Sequence, residues 1–339
     1  MRLLPIWAVA PLLAGAWTDA ASPAASPSAL ERLVRKEAAA GFSGSILAMQ
    51  GDKALVDRSV GSVRGVRVRP NSRFWISSTG KQFVSAAIFK LRDDGRISLD
   101  DRLDRWLPDV PADKRAITIR QLLSHTSGLP QGYAGEEAGD NESAVRSILA
   151  RKLEAKPGEK FIYSNENFYL SAAIVERIAQ QSYRRFAEAR FFAPLGMSQT
   201  GVAHGPAGVL PTKSETPARL ARAHWGISGH YSSAHDLALW FRALKNGTIL
   251  KPDSVAQMWR PVAKIQEGEA ASGWFVTTTP RGTRRIWTRG NDDFGPNSLI
   301  YGYPDRDIVI VILTHAGDKP NGPSWSRAVV TDLENALGL

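Results

Sequence analysis

Residues 77–95 read Ser77-Ser78-Thr79-Gly80-Lys81-Gln82-Phe83-Val84-Ser85-Ala86-Ala87-Ile88-Phe89-Lys90-Leu91-Arg92-Asp93-Asp94-Gly95. Phe83, Ala87 and Leu91 recur at i,i+4 spacing, which predicts a helix over about Ser77 to Asp94 with Gly95 as its C-terminal stop. Ser78 then lies in the first turn with Lys81 three residues on, on adjacent turns of one face, so a hydroxyl and an amine can meet. A serine hydroxyl is a poor nucleophile until a neighbouring base takes its proton. An amine does so only while neutral, which asks for a desolvated setting or a nearby cation. The early N–H groups of such a helix are also unpaired and can face a developing anion.

Upstream of this segment, Phe42 to Met49 and Ala54 to Val60 flank the turn-forming Gly51-Asp52 and read as an antiparallel hairpin. Ser28 and Glu31 have capping-box spacing before an amphipathic helix through Leu30, Leu33 and Val34, stopped by Gly41. The first 21 residues, Met-Arg followed by an apolar run, fit a cleaved secretory signal peptide, with a membrane anchor as the alternative. Residues 22–27 read as a linker. Downstream, Thr118 and Gln121 form a second capping box, and helical patterns recur near Glu142 to Leu153, Asn167 to Gln180, Tyr183 to Phe192 and Ala234 to Leu244. The period then returns to two, with strands expected at Gly273 to Thr279, Arg285 to Arg289, Ser298 to Tyr303 and Ile308 to Thr314. A last helix is expected from Ser324 to Leu337.

Neither the first hairpin nor the last four strands can bury both faces alone. They are expected to close one antiparallel sheet covered by the terminal helices, an α+β arrangement of α/β sandwich type. The catalytic domain would span 28–339, with a sheet lobe of about 28–100 plus 270–339 and an inserted, mainly α-helical lobe of about 101–269. The cleft between the lobes is the expected site.

Two further groups can serve Ser78. Tyr163-Ser164-Asn165 follows the Pro157-Gly158 turn, and its phenol and amide can point to one side, Tyr163 to relay a proton and Asn165 to orient Lys81 or a substrate carbonyl. Thr288-Arg289-Gly290-Asn291 ends a predicted strand, where Gly290 lets a substrate approach the backbone and a following N–H can complete an oxyanion hole.

Together these groups make the chain similar to the serine β-lactamase and penicillin-binding-protein superfamily, in the branch of class C β-lactamases, D-alanyl-D-alanine carboxypeptidases and related esterases. Ser78-Thr79-Gly80-Lys81 matches its Ser-x-x-Lys motif and Tyr163-Ser164-Asn165 its Tyr-x-Asn motif. Leu122-Leu123-Ser124-His125-Thr126-Ser127-Gly128-Leu129, Pro194-Leu195-Gly196-Met197 and Gly229-His230-Tyr231-Ser232-Ser233 with Asp236-Leu237 resemble other recurrent stretches in family order. The resemblance implies a five-stranded antiparallel sheet flanked by helices and joined to a helical lobe. It implies Ser78 as the acylated nucleophile, Lys81 and Tyr163 as the acid/base pair, and Asn165 as a substrate-positioning group. Thr288 and Gly290 would also bind substrate, and the N–H groups of Ser78 and Asn291 would hold the oxyanion. His125 would shape the lobe. The third motif departs from the family, which usually has Lys or His where Thr288 stands. Thr288 supplies a hydrogen bond without charge, and in a regular strand Arg289 faces the other way. Asp292-Asp293 would further disfavour a carboxylate-bearing substrate.

Within 339 residues there are 29 Gly, 20 Pro and no Cys, a composition near globular usage that excludes disulfide and thiolate chemistry. The formal charge of +10 favours anionic surroundings such as a membrane surface or cell-wall polymer. The basic stretch Arg58 to Arg73 alternates with Val and Gly as a solvated strand and turn, without a nucleic-acid module. These readings predict a periplasmic or secreted serine acyl hydrolase acting on a small ester, amide or peptide, with no metal, organic cofactor or nucleic acid. The alternatives are a β-lactamase or D-alanyl-D-alanine carboxypeptidase, and a non-catalytic protein that binds cell-wall fragments.

Overall fold

A computed structural model describes residues 27–134, 138, 140–202, 208–212, 229–293, 295–319 and 322–339. The expected signal peptide and almost all of the expected linker lie outside the described residues.

The main sheet follows from the period-two segments. Its order is Lys53–Val60, Gly44–Gln50, Ile308–Thr314, Asn297–Tyr303, Arg284–Asn291, Phe275–Thr278, Gly268–Ala270 and Ala263–Ile265, every neighbouring pair antiparallel. Alternation along the central strand sets the two faces. Ile308, Ile310 and Ile312 pack with Leu30, Val34, Trp325, Val329 and Leu333 of the terminal helices Pro27–Ala39 and Trp325–Leu337. Val309, Val311 and Leu313 join the other cluster, with Phe83, Ile88, Trp240 and Phe241.

The sheet has eight strands, where the sequence pattern predicted six and the family resemblance implied five. The two unforeseen ones, Ala263–Ile265 and Gly268–Ala270, are three residues each and carry polar Lys264 and Glu269 with no apolar alternation to announce them. The first helix is described over Pro27–Ala39, so the position expected as its cap, Ser28, falls within the helical stretch. Glu31 instead holds Arg58 of the edge strand. The capping box at Thr118 is present, with Thr118 N–H donating to Gln121 Oε1 at 2.9 Å and Gln121 N–H to Thr118 Oγ1 at 3.3 Å.

The helix Lys81–Asp93 is buried from Lys81 through Phe89, apolar residues mostly, with polar Lys81, Gln82 and Ser85 among them. It packs against the helices Asn165–Ala179 and Pro252–Met258, while the turn Ser77–Gly80 before it lies on the strand Arg284–Asn291. The helix Ala234–Lys245, within the stretch expected to form the helical lobe, packs onto the sheet strands Gly44–Gln50 and Ile308–Thr314. Among the described residues no helix is long and apolar enough to cross a membrane.

Candidate active site

Ser78 does not sit in the first turn of an α-helix. It occupies a 3-10 turn, Ser77–Gly80, that feeds the helix Lys81–Asp93, and Ser77 before it has φ +50°. Two close approaches hold the turn. A Cβ at Gly290 would stand 2.3 Å from the Ile76 carbonyl oxygen and 2.9 Å from Ser77 Cβ, so only glycine lets the strand Arg284–Asn291 lie against the turn. A Cβ at Gly80 would stand 2.1 Å from Nδ1 of the buried His230, whose Nε2 meets Tyr183 OH at 2.8 Å. Ser298 Oγ donates to the Ile76 carbonyl at 2.7 Å and lies 2.8 Å from Thr79 Oγ1, tying the turn to the next strand.

Ser78 Oγ has two neighbours that can exchange protons with it. Lys81 Nζ donates to it at 2.8 Å and Tyr163 OH at 2.9 Å. Lys81 is 3% exposed, and its ammonium lies 5.3 Å from the centre of the Tyr163 ring and 6.0 Å from that of Phe168. The structure therefore brings together residues 85 positions apart around one hydroxyl.

His125 fixes Tyr163 from behind. The rings stack at 4.4 Å and 28°. The Ser164 N–H donates to His125 Nδ1 at 3.1 Å, and the Ile162 N–H donates to the His125 carbonyl at 2.8 Å. An Nδ1 that accepts leaves any ring proton on Nε2, a tautomer assigned from these partners. Burial, followed by the Lys81 charge, lowers the His125 pKa to about 3, so the ring is neutral. Burial and then Lys81 likewise lower that of His230 to about 3. Two neutral imidazoles thus flank the Lys81 amine without adding charge.

Asn165 opens the helix Asn165–Ala179, its N–H donating to Gln131 Oε1 at 2.9 Å. It is 2% exposed, and its side-chain oxygen is buried without a hydrogen-bond partner. It lines a groove of about 470 Å³ with Ser78, Tyr133, Phe161, Tyr163, Phe275, Trp287, Arg289 and Asn291. Thr288 and Arg289 diverge as strand alternation requires. Thr288 is 3% exposed and faces inward, whereas the Arg289 side chain is 49% exposed, with Nη1 3.5 Å from Glu267 Oε2. Glu267 also accepts from Arg327 at 2.6 Å. Asn291 ends the strand, its side-chain oxygen accepting from Asn297 Nδ2 at 3.0 Å, and Asp292 follows on the groove wall.

Sequence reasoning did not find Gln131, Phe275 or Glu267. Gln131 carries no motif, Phe275 reads as any strand residue, and Glu267 lies between the two short strands that were not foreseen. Among the described residues, no cluster of three or more His, Asp or Glu is arranged to hold a metal ion.

The chain that sets the Ser77–Gly80 turn against an antiparallel sheet, with an amine and a phenol on the Ser78 hydroxyl, matches a known family along most of its length. The match covers residues 30–331, and the protein belongs to the Beta-lactamase family. It is similar to Penicillin-binding protein 4* of Bacillus subtilis (strain 168), 27% identical over 334 residues, covering 87% of this chain and 72% of that one. It is also similar to Protein flp of Staphylococcus aureus (strain N315), 28% identical over 306 residues, covering 81% of this chain and 60% of that longer protein. The solved D-amino acid amidase from Ochrobactrum anthropi SV3, complexed with D-phenylalanine, shares the fold with a TM-score of 0.78. The two are 19% identical, over 92% of this chain and 98% of the amidase.

Proposed function

We propose that the protein is a serine acyl hydrolase that forms a covalent acyl-enzyme on Ser78 with a small ester, amide or peptide donor. The observation that carries this reading is the pairing of both Lys81 Nζ and Tyr163 OH with Ser78 Oγ, at 2.8 and 2.9 Å. As Oγ attacks the acyl carbonyl, its proton passes into the Lys81–Tyr163 pair, and Tyr163 delivers a proton to the leaving group. The N–H groups of Ser78 and Asn291 stabilise the oxyanion. Asn165, with its buried and unpaired side-chain oxygen, positions the donor. Phe161, Phe275 and Trp287 give the groove an aromatic wall suited to an apolar substituent.

Neutral donors are preferred. The inward residue of the third motif is the uncharged Thr288, and the guanidinium of Arg289 is 3.5 Å from Glu267. The names of the relatives, a penicillin-binding protein and a D-amino acid amidase, support amide or peptide donors beside esters. The apolar N-terminal run of the sequence supports export to the periplasm or beyond.

Intact-protein mass spectrometry after exposure to a fluorophosphonate, a penicillin and p-nitrophenyl esters tests the proposal. Ser78 should carry the label, and Ser78→Ala should lose both label and turnover while remaining folded. Equal labelling of Ser78→Ala at another serine would sink the assignment.

A further inference from the structure

Beside Ser78, next to the aromatic groove with which it shares Tyr163, Phe275 and Arg289, lies a cavity of about 20 Å³ walled by Ser78, Lys81, Tyr163, Gly273, Trp274 and Thr288, among others. About 10–15 Å³ suffices to seat one water molecule, provided that polar groups meet it. This cavity has them: the Ser78 and Tyr163 hydroxyls, the Lys81 amine and the Thr288 hydroxyl. Thr288 is 3% exposed, and its hydroxyl forms no hydrogen bond with any other described residue. A polar group so placed keeps a donor and an acceptor to offer to a molecule in the cavity. Gly273 packs tightly on the helix Lys81–Asp93, where a Cβ would stand 2.4 Å from Ser85 Oγ.

We infer that Thr288 and the Tyr163–Lys81 pair hold the water that hydrolyses the acyl-enzyme, and that this seat makes water the acyl acceptor in preference to larger nucleophiles. The inference rests on the proposed Ser78 acyl-enzyme. In the step, the water oxygen bonds to the carbonyl carbon of the Ser78 ester while one of its protons passes to the Lys81–Tyr163 pair. The bond from Oγ to the acyl carbon then breaks, Oγ regains a proton from the same pair, and the free acid leaves. Every atom of the water ends in the acid and the restored hydroxyl. The Thr288 hydroxyl orients the attacking oxygen by a hydrogen bond and exchanges no proton.

Two measurements test this. In the first, p-nitrophenyl ester bursts are followed in the wild type, Thr288→Val and Thr288→Ser. Valine keeps the shape and removes the hydroxyl, whereas serine restores it. The expected result is that deacylation in Thr288→Val slows at least about tenfold more than acylation does, with acyl-Ser78 accumulating in the intact mass and Thr288→Ser deacylating near the wild-type rate. Unchanged deacylation in Thr288→Val, or an equal slowing of both steps, would overturn the role of Thr288. The second measurement needs no variant. Methanol added to the wild-type enzyme should not speed release of the acyl group, because methanol exceeds a one-water seat, and faster release as methyl ester would overturn the inference. Absence of any Ser78 acyl-enzyme in the wild type would overturn the parent proposal, an outcome distinct from the other two.

Discussion

Gly290→Ala places a methyl group where the strand meets the turn that carries Ser78. The added Cβ would stand 2.3 Å from the Ile76 carbonyl oxygen, 2.8 Å from Ser298 Oγ and 2.9 Å from Ser77 Cβ. Carbon–oxygen contacts settle at about 3.3–3.6 Å, so strand and turn must separate by about 1 Å. The Ile76 carbonyl cannot swing aside cheaply, because it accepts from Ser298 Oγ at 2.7 Å and from the Thr79 N–H at 3.1 Å. Overpacking of this kind costs about 1–3 kcal/mol of stability. The kinetic effect is larger in proportion, since misplacing a reacting group by about 1 Å costs on the order of 100-fold in rate. The expected outcome is a folded variant whose Tm falls by a few degrees and whose kcat/KM for a neutral p-nitrophenyl ester falls about 100-fold. Scanning calorimetry and steady-state kinetics on one preparation measure both. Activity within threefold of wild type at an unchanged Tm would refute the argument that this contact sets the position of Ser78.

Lys81→Ala should suppress acylation about 10²–10⁴-fold, and Tyr163→Phe should do the same while keeping its ring stacked on His125; near-wild-type stopped-flow acylation in both would defeat the proton-transfer scheme. Thr288→Lys should raise kcat/KM for free-acid donors about tenfold relative to neutral analogues with the same scissile bond, since a hydrogen bond to a charged group contributes about 1.5–3 kcal/mol, and no relative gain in a folded variant would show that residue 288 is not the missing anchor. Stability should fall as pH drops from about 6.5 towards about 3. Folded His125 and His230 resist a proton that the unfolded chain accepts across that window, so their contribution is fully present above the unfolded pKa and declines by about 1.4 kcal/mol per pH unit for each ring below it. Denaturant titrations giving equal stabilities at pH 6 and pH 4.5 would contradict the neutral burial of these rings.

The elements legible in the sequence were those whose burial imposes a period. The strand Ile308–Thr314 is buried at every residue, and its β-branched run announced it. The helix Lys81–Asp93 announced itself through Phe83, Ala87 and Leu91. The hairpin Ala263–Ile265 and Gly268–Ala270 extends the sheet edge with Lys264, Gln266, Glu267 and Glu269, so no apolar face marks it. The 3-10 turn at Ser77–Gly80 was hidden for another reason. It depends on Gly290 and His230 pressing from segments about 210 and 150 residues downstream, and local propensity carries no trace of such contacts.

The site divides along the same line. Ser78 and Lys81 are neighbours by helix geometry, so spacing alone puts them within reach, whereas Tyr163 meets them only because the helix Asn165–Ala179 packs on Lys81–Asp93 and His125 grips the Tyr-x-Asn segment at the Ser164 N–H. The inward position of Thr288 was inferable from strand alternation once the strand was granted. The size of the space it faces was not, because Trp274 and Gly273 line that space from a loop that no motif covers. A lysine or histidine there would bring a cation into the cavity and fill it. Threonine leaves a hydroxyl at the wall of a one-water space beside the nucleophile. Threonine thus lacks the inward-facing cation that would hold a carboxylate, while Arg289 lies 3.5 Å from Glu267, and it leaves a hydroxyl where the proposed hydrolytic water would sit.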